Sequence, residues 1–430
     1  MNYCSGCHGA NLEKFVGRHW VYGKTEDAVF TTIKEGKSDI GMPGFAAAFN
    51  DNEVRNLVAY ILKLGDQTAF NQTKGVVQPK VHQSEKLKYY VDTVLSGLEV
   101  PWGMTWLPNG DMLITERSGK LLMYTTGKKL ISIEGVPKVY EFGQGGLLDI
   151  ELHPEYRKNG WIYLTYAYYA GKTLEDGGST ALMRAKLKDN KLVEQQILYK
   201  SLPAEKRGVQ YGSRIEFDKQ NHVYFSVGDR GVEKDAQLLS NSSGTVIRLN
   251  DDGSIPSDNP FVNNKDALPG IYSYGHRNIQ SLNFNPWTGE LWSNEHGPKG
   301  GDEVNIIKPG KNYGWPVISF GINYDGTILT PDTAKAGMEQ PMIYWVPSIA
   351  PCGSDFVKGN LYKDWSGNYL VGSLRFKYVV RCEIKDNKIV HQEKILKDIG
   401  RVRNVVQGPD GYIYVAIEQP GKIIKIVPVN

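Results

Sequence analysis

Cys4, Cys7 and His8 form a CxxCH motif close to the start of the 430-residue chain. This spacing is typical of c-type haem attachment, in which both thiols add to the haem vinyl groups and the histidine ligates the iron. A zinc site would need four ligands, and the two remaining cysteines, Cys352 and Cys382, lie far along the sequence. The motif therefore predicts covalently bound haem c.

The second axial ligand of such a haem is expected in a loop between helices. Met42, in the segment Gly41-Met42-Pro43, has this position. A thioether ligand raises the reduction potential of haem iron, which suits an electron acceptor. Met42 is the predicted ligand, with His19 as a competitor and simple packing of Met42 as the alternative.

A second group of polar residues, rich in arginine, recurs at the ends of predicted strands. Guanidinium groups pair bidentately with carboxylates and stack on flat rings, so several around one cavity would bind a small, planar, polyanionic ligand. Taken singly, each arginine is more often a solvated or structural group. The group consists of Gln144, Arg277, Asn278, Arg375, Arg401 and Arg403.

Such residues need a scaffold that brings distant parts of the chain together, and the sequence from about residue 86 onward supplies a repeated unit. A strand–turn–strand pattern with Pro, Asp, Asn or Gly in the turn occurs in six copies. They begin at Trp106, Leu152, Phe217, Phe284, Tyr362 and Gln407. The repeats predict a six-bladed β-propeller with a central channel where loops converge. A β-sandwich or several small β domains would give a similar pattern.

The beginning of the chain is predicted to be helical instead. Thr25 caps one short helix, and Asn50 with Glu53 forms a capping box before a second helix with one apolar face. A polar, aperiodic segment then predicts a linker. The predicted organisation is an α-helical cytochrome c domain over residues 1–65, a linker over residues 66–85 and a propeller over residues 86–430.

Composition argues against several classes of function. Lys and Arg exceed Asp and Glu by only three, 50 against 47, so neither nucleic acid nor an anionic membrane is predicted as the main partner. No apolar run reaches the roughly 18 residues of a transmembrane helix. The 47 glycines and 25 tyrosines favour turns and strands and agree with a mainly β protein.

The haem motif carries a first resemblance. The stretch CSGCHGANL and the later GMPGF resemble the small cytochromes c of bacterial periplasmic dehydrogenases over about residues 3–65. The sequence differs from that family in one respect, because only Met1, Asn2 and Tyr3 precede the motif where the family has a further helix.

The propeller segment resembles the soluble pyrroloquinoline quinone (PQQ) sugar dehydrogenases of the aldose sugar or glucose/sorbosone dehydrogenase family, over about residues 90–428. Many segments match in order, namely GQGGLLDIELHP, GSRIEFD, GTVIRLNDDGSIPSDNPF, YGHRNIQSL, EHGPKGGDEVN, KNYGWP, WVPSIAP and VGSLR. The resemblance implies oxidation of a sugar or related alcohol by hydride transfer to PQQ, with electrons passed to the fused haem.

The resemblance also implies which residues hold the quinone. They are Gln144, Arg277, Asn278, Arg375, Arg401 and Arg403. Arg375 stands where the family often has lysine, so the positive charge is kept. Trp345, just before the VPSIAP segment, would form a wall of the pocket.

Two calcium positions follow from the same resemblance. The carbonyl groups of Gly297 and Pro298 would bind a Ca²⁺ that also contacts the quinone, because this cation prefers oxygen ligands and acts as a Lewis acid. Glu303 and Tyr313 match a second, structural calcium position. Ordinary loop packing is the alternative explanation for this second pair.

Gln210 stands where the family has the histidine that takes the proton from the sugar hydroxyl. The neighbouring segment Gly212-Ser213-Arg214 fixes this register. A carboxamide hydrogen-bonds but does not accept a proton near neutral pH. One alternative is a misaligned register. The other open hypotheses are a different substrate, an impaired enzyme, an engineered knockout, or a different base, for which the candidates are Asp149, His276 and Glu205.

The sequence thus predicts a periplasmic or extracellular enzyme, because covalent haem is attached outside the cytoplasm, although no signal peptide precedes Cys4. Its partners would be a sugar or alcohol and a downstream redox protein or other electron acceptor. The alternative is a ligand-binding propeller without turnover, which Gln210 favours, whereas the arginines and the fused haem favour the enzyme. Cys352 and Cys382 could form a disulfide or remain two free thiols.

Overall fold

The computed structural model describes residue 20 and residues 22–37, 42–65 and 80–429. Within these residues the chain forms two helices of 10 and 15 residues and, after residue 80, six antiparallel β-sheets. None of the helices in this described part is long and apolar enough to cross a membrane.

The two N-terminal helices, α1 (Glu26–Glu35) and α2 (Asp51–Gly65), pack against each other. The Thr25 hydroxyl caps α1 by accepting a backbone N–H at 3.2 Å. Asn50 and Glu53 exchange two hydrogen bonds of 2.8 and 3.0 Å at the start of α2, so both predicted caps are confirmed. The buried apolar residues between the helices are Val29, Ile33, Val54, Val58 and Ile61.

Of the residues predicted to ligate haem, Met42 is described. It forms two backbone hydrogen bonds with Lys37, at 2.8 and 2.9 Å, and its half-buried side chain packs against the α1–α2 core. Its role as an iron ligand stays a prediction. The other residues of the haem prediction lie outside the described residues: Cys4, Cys7, His8 and His19.

The β-rich part begins with β1 (Val81–Gln83) and β2 (Lys88–Ser96). Blade 1 contains β3 (Pro101–Trp106), β4 (Met112–Glu116), β5 (Lys120–Tyr124) and β6 (Leu130–Ile133). Blade 2 contains β7 (Leu147–Leu152), β8 (Trp161–Tyr169), β9 (Gly178–Lys188) and β10 (Lys191–Lys200). Blade 3 contains β11 (Ile215–Phe217), β12 (Val223–Val227), β13 (Thr245–Leu249) and β14 (Ile271–Tyr274).

Blade 4 contains β15 (Ile279–Phe284), β16 (Leu291–Glu295), β17 (Asp302–Ile307) and β18 (Ile343–Trp345). Blade 5 contains β19 (Pro351–Phe356), β20 (Tyr369–Ser373), β21 (Val379–Lys385) and β22 (Lys388–Ile395). Blade 6 contains β23 (Val402–Gln407), β24 (Ile413–Ile417) and β25 (Lys422–Pro428). Short helical turns lie at Tyr156–Asn159 (α3), Leu174–Asp176, Glu233–Gln237 and Lys363–Trp365.

The ring of blades is closed by the two ends of the β-rich part. β2 pairs antiparallel with β25, from Tyr89 opposite Pro428 to Ser96 opposite Lys422, and completes blade 6. β1 adds a fifth strand to this sheet, so Val81–Gln83 belongs with the propeller although the sequence predicted a linker there. The predicted six-bladed propeller is confirmed.

Apolar side chains fill the space between neighbouring blades. Trp292 of blade 4 packs against Phe356 and Tyr369 of blade 5, with ring centroids 5.2 and 5.4 Å apart. All three rings are buried. Aromatic contacts of this kind contribute beyond the area they bury, and they hold adjacent blades in a fixed relation.

The strand arrangement determines which loops meet. The first strand of each blade is antiparallel to the second, so Pro101 pairs with Glu116 in blade 1 and Val402 with Ile417 in blade 6. First strands of neighbouring blades contact one another and surround the channel. Loops that precede first strands and follow second strands therefore meet at one end of the channel, which we call the mouth.

Candidate active site

Most of the predicted quinone-binding residues occupy the mouth. Gln144 precedes β7, Arg277 and Asn278 precede β15, and Arg375 follows β20. Arg401 precedes β23, and Arg403 is the second residue of β23, at a shift in the strand register between Val402 and Asn404. The fold thus brings together residues that are up to 259 positions apart because each stands at the same end of its blade.

Hydrogen bonds join the loops of blades 2, 3 and 4 at the mouth. The backbone N–H of Gln210 donates to Gln144 Oε1 at 2.8 Å. The backbone N–H of Gly212 donates to Asn278 Oδ1 at 3.0 Å. Gln210 has a φ of 56°, in the left-handed region that is uncommon for residues other than glycine. These hydrogen bonds therefore help to hold the loop in this backbone conformation.

Two of the arginines share one carboxylate. Arg401 Nε lies 2.9 Å from Glu418 Oε2, and Arg403 Nε lies 2.6 Å from Glu418 Oε1. Burial opposes ionisation of Glu418, but the Arg403 and Arg401 guanidinium groups lower its pKa to about 2. The cluster of two cations and one anion therefore keeps a net positive charge at neutral pH.

Arg403 also connects blade 6 to the channel beneath the mouth. Its Nη1 atom lies 2.9 Å from Gln280 Oε1 and 3.2 Å from Cys352 Sγ. Cys352 and Cys382 are both free and buried. The disulfide that the sequence left open is absent from this structure, and the alternative of two free thiols is the one observed.

Arg277 lies against the loop that the sequence assigned to calcium. Its Nη1 atom donates to the carbonyl of Gly297 at 2.8 Å, and its guanidinium lies 5.2 Å from the Trp315 ring centroid. Its Nε atom is buried and has no hydrogen-bond partner among the described residues. Pro298 is buried in the same loop.

Gln210 has an acidic neighbour that the sequence did not indicate. The backbone N–H of Gly231 donates both to Gln210 Oε1 at 3.1 Å and to Asp229 Oδ1 at 2.8 Å. Asp229 Oδ2 accepts from the Trp315 indole at 2.7 Å. Burial raises the pKa of Asp229 to about 6, against the effect of these hydrogen bonds and of Arg277. Asp229 is therefore a carboxyl group beside Gln210 whose pKa lies well above that of an ordinary aspartate.

The three bases considered from the sequence lie elsewhere. Asp149 is buried and accepts from Arg214 Nη1 at 2.8 Å. His276 is buried between Ser273 and Glu295, with both ring nitrogens in hydrogen bonds of 2.9 Å. Glu205 forms a backbone bridge to Gly178. Among the described contacts, none of the three hydrogen-bonds to Gln210.

His296 is a further imidazole at the mouth. Its Nε2 atom lies 2.7 Å from the carbonyl of Pro351. Burial and the Arg277 and Arg403 guanidinium groups lower the pKa of His296 to about 3. The ring is therefore neutral near neutral pH and is a weak candidate for a general base.

For three predicted residues, the structure does not test the predicted role, and the side chains of Trp345 and Tyr313 use polar atoms in other hydrogen bonds. The Trp345 carbonyl accepts from Gly301 N at 2.9 Å, but its indole N–H donates to Gln392 in β22 at 2.7 Å. The Tyr313 hydroxyl donates to the Ile306 carbonyl at 2.6 Å. The roles assigned to Trp345, Glu303 and Tyr313 stay predictions.

Sequence patterns could have pointed to the residues that were missed. Arg117, Asp229, His296 and Glu418 each follow the second strand of a blade within two residues. Arg375 has the same placement in blade 5, where the segment VGSLR also marks it. In five of the six blades, an ionisable side chain within two residues of a buried second strand is thus the signal for the mouth.

Comparison with known families agrees with this architecture. The family model for glucose/sorbosone dehydrogenase matches residues 98–425. The model for cbb3-type cytochrome c oxidase subunit III matches residues 1–61. The chain is thus a propeller oxidoreductase joined to a cytochrome c domain. It belongs to the glucose/sorbosone dehydrogenase family.

Individual relatives support the same conclusion. The aldose sugar dehydrogenase YliI of Escherichia coli is 38% identical over 79% of this chain and 93% of its own length. The quinoprotein glucose dehydrogenase B of Acinetobacter calcoaceticus is 27% identical over 77% of this chain and 86% of its own length. A crystal structure of a glucose dehydrogenase is 37% identical, covers 79% of this chain and 99% of its own, and has a TM-score of 0.76.

Proposed function

We propose that this chain is a PQQ- and Ca²⁺-dependent dehydrogenase that oxidises a sugar or related alcohol and delivers the electrons to its own haem c. The observation that carries the proposal is the convergence of guanidinium groups from blades 4, 5 and 6 on one mouth, with Glu418 as the carboxylate that pairs two of them. Such an excess of positive charge around a cavity suits a polycarboxylate ligand.

The residues at the mouth fit a planar quinone with carboxylate groups. The Nε atom of Arg277 lacks a hydrogen-bond partner among the described residues, and so does the exposed Arg375 guanidinium. Both can still donate hydrogen bonds to ligand oxygens. Gln144 and Asn278 would orient the rings through their amides. A bound quinone supplies the hydride acceptor, and the relative named a quinoprotein supports this choice.

Calcium would bind through the carbonyl oxygens of Gly297 and Pro298 and would polarise the quinone carbonyl. The Gly297 carbonyl accepts one hydrogen bond from Arg277 and keeps a second lone pair. For the second calcium position, burial and the nearby Glu295 carboxylate raise the pKa of Glu303. A pair of buried carboxylates of this kind favours a cation between them, which Tyr313 would complete.

The sugar hydroxyl must lose a proton as its carbon loses a hydride. Gln210 is placed to hydrogen-bond this hydroxyl but not to take the proton. A second candidate function, a ligand-binding propeller without turnover, is favoured by this one residue. The fused cytochrome c domain favours the enzyme, because a haem requires a nearby source of electrons.

The haem would be held by Cys4, Cys7 and His8, with Met42 as the second axial ligand. Covalent haem attachment takes place outside the cytoplasm, so we propose a periplasmic or extracellular location. The electrons would leave the haem to a downstream redox protein or another acceptor.

Calorimetric titration of PQQ into calcium-loaded protein tests the proposal. We expect one quinone per chain, with weaker binding after calcium is removed by a chelator. Absence of binding with calcium present would refute the dehydrogenase. Binding of PQQ without reduction by any member of a panel of sugars and alcohols would favour the second candidate.

A further inference from the structure

Arg117 lies at the mouth of blade 1, immediately after β4. Its backbone N–H donates to Val100 at 3.0 Å, and its carbonyl accepts from Leu147 N at 3.1 Å. A Cβ on Gly146, whose φ is 149°, would lie 1.9 Å from the Arg117 carbonyl oxygen and 2.7 Å from its Cγ. Only glycine allows this approach, so Arg117 is fixed against the loop that carries Gln144.

Charged groups of both signs lie near Arg117, but none of the described ones forms an ion pair with its guanidinium. Burial lowers the pKa of Arg117, and Arg403 and Arg401 lower it further, whereas Glu418 and Glu141 oppose them. Glu418 is already bound by both arginines of blade 6. The half-buried Arg117 side chain makes no hydrogen bond or ion pair with any residue that the structure describes.

A cation in such a place is costly without an anion, because partial burial removes water that would solvate it. Arg375, after β20 of blade 5, is likewise without a polar partner in the described chain. Arg117 and Arg375 occupy equivalent positions on the two sides of blade 6. The pair would flank a ligand seated over the Arg401–Glu418–Arg403 cluster.

We propose that Arg117 binds a carboxylate group of the quinone cofactor. The inference rests on the proposed function and adds blade 1 to the blades that hold the cofactor. A guanidinium offers two parallel N–H donors to a carboxylate, and these charge-assisted bonds are roughly twice as strong as neutral ones. The ligand then supplies the hydrogen-bonded anion that the Arg117 side chain lacks among the described residues.

The test compares Arg117→Gln and Arg117→Lys with the wild type, using calorimetric titration of PQQ into calcium-loaded protein. Arg157→Gln is the matched control, because Arg157 is exposed in the turn between β7 and β8, and its side chain forms one hydrogen bond within the described chain, to the Pro108 carbonyl at 3.5 Å. We expect the glutamine variant to bind PQQ about 10- to 100-fold more weakly. The lysine variant should recover part of the loss, and the control should match the wild type.

The outcomes separate the inference from the function on which it rests. Failure of the wild type to bind PQQ would refute the proposed function. Normal wild-type binding with an unchanged affinity in Arg117→Gln would overturn the role of Arg117 alone. A fall in the melting temperature of cofactor-free Arg117→Gln would mean that the substitution also disturbs the fold. The PQQ affinity of Arg117→Lys then tests the inference, because lysine keeps the charge but loses the bidentate contact. Wild-type affinity in that variant would overturn the inference.

Discussion

The replacement Gln210→His tests the proposal that Gln210 stands where a general base is needed. Gln210 Oε1 and Asp229 Oδ1 accept the same Gly231 N–H, at 3.1 and 2.8 Å, so an imidazole at position 210 would lie beside a carboxyl group. A carboxylate stabilises the imidazolium that forms when the ring takes a proton. A positioned general base contributes about 10²- to 10⁴-fold. We predict that sugar-dependent quinone reduction becomes at least about tenfold faster.

The pH dependence of this gain follows from Asp229. Burial raises its pKa to about 6, so the group carries its charge above about pH 6 and loses it below. The ratio of the rate of Gln210→His to that of the wild type should therefore increase as the pH rises through 6. PQQ affinity should change little, because one planar polar side chain of similar reach replaces another.

Stopped-flow absorbance of the quinone measures the rate independently of haem content. Gln220→His serves as the control, because Gln220 is exposed in the β11–β12 turn at the opposite end of blade 3. The control should react at the wild-type rate. A wild type that is already fast, with a slower Gln210→His variant, would show that another residue is the base. Inertness of both toward all sugars and alcohols tried would refute the substrate class.

Three further predictions follow from the described contacts. Arg403→Ala should lower the free energy of unfolding by about 3–5 kcal/mol, and Arg401→Ala by only about 1 kcal/mol. The reason is burial, because the Arg403 side chain is 11% exposed and the Arg401 side chain is 37% exposed. Equal losses of stability in urea denaturation would contradict this difference. The pKa of Asp229 is raised from 3.8 to about 6, so the native state binds more protons than the unfolded state between these values. Wild-type stability should therefore fall relative to Asp229→Asn as the pH rises from about 4 to 6, by at most roughly 3 kcal/mol, and a parallel pH dependence of the two proteins would refute the shift. Met42→Ala should lower the haem reduction potential measured by voltammetry, and an unchanged potential would indicate another ligand.

The sequence was sufficient for elements governed by local patterns. The caps at Thr25 and Asn50 follow from side chains within three residues of the bonds they make, and the six turns follow from Pro, Asp, Asn and Gly. The pairing of β2 with β25 could not be derived in this way, because it joins strands more than 300 residues apart. The strand at Val81–Gln83 was missed because it is short and lies in a polar segment.

The site was predictable to the extent that motifs marked it. The arginines proposed to bind the quinone were predictable because they stand in recognisable segments, and the fold places them at one mouth. Asp229 and Glu418 were missed because their importance depends on burial and on partners from distant loops. Trp345 illustrates a different limit of sequence motifs. Its motif predicted a wall of the pocket, but a motif does not show that the indole N–H donates to Gln392 of blade 5.

The most direct test of the central claim is the haem absorbance of the matured, oxidised protein under anaerobic conditions when an aldose is added. With PQQ and Ca²⁺ bound, we predict reduction of the haem by at least one sugar, and no reduction when PQQ is left out. A haem that stays oxidised with PQQ, Ca²⁺ and every sugar or alcohol tried would contradict the account. Reduction that proceeds equally well without PQQ would contradict it as well.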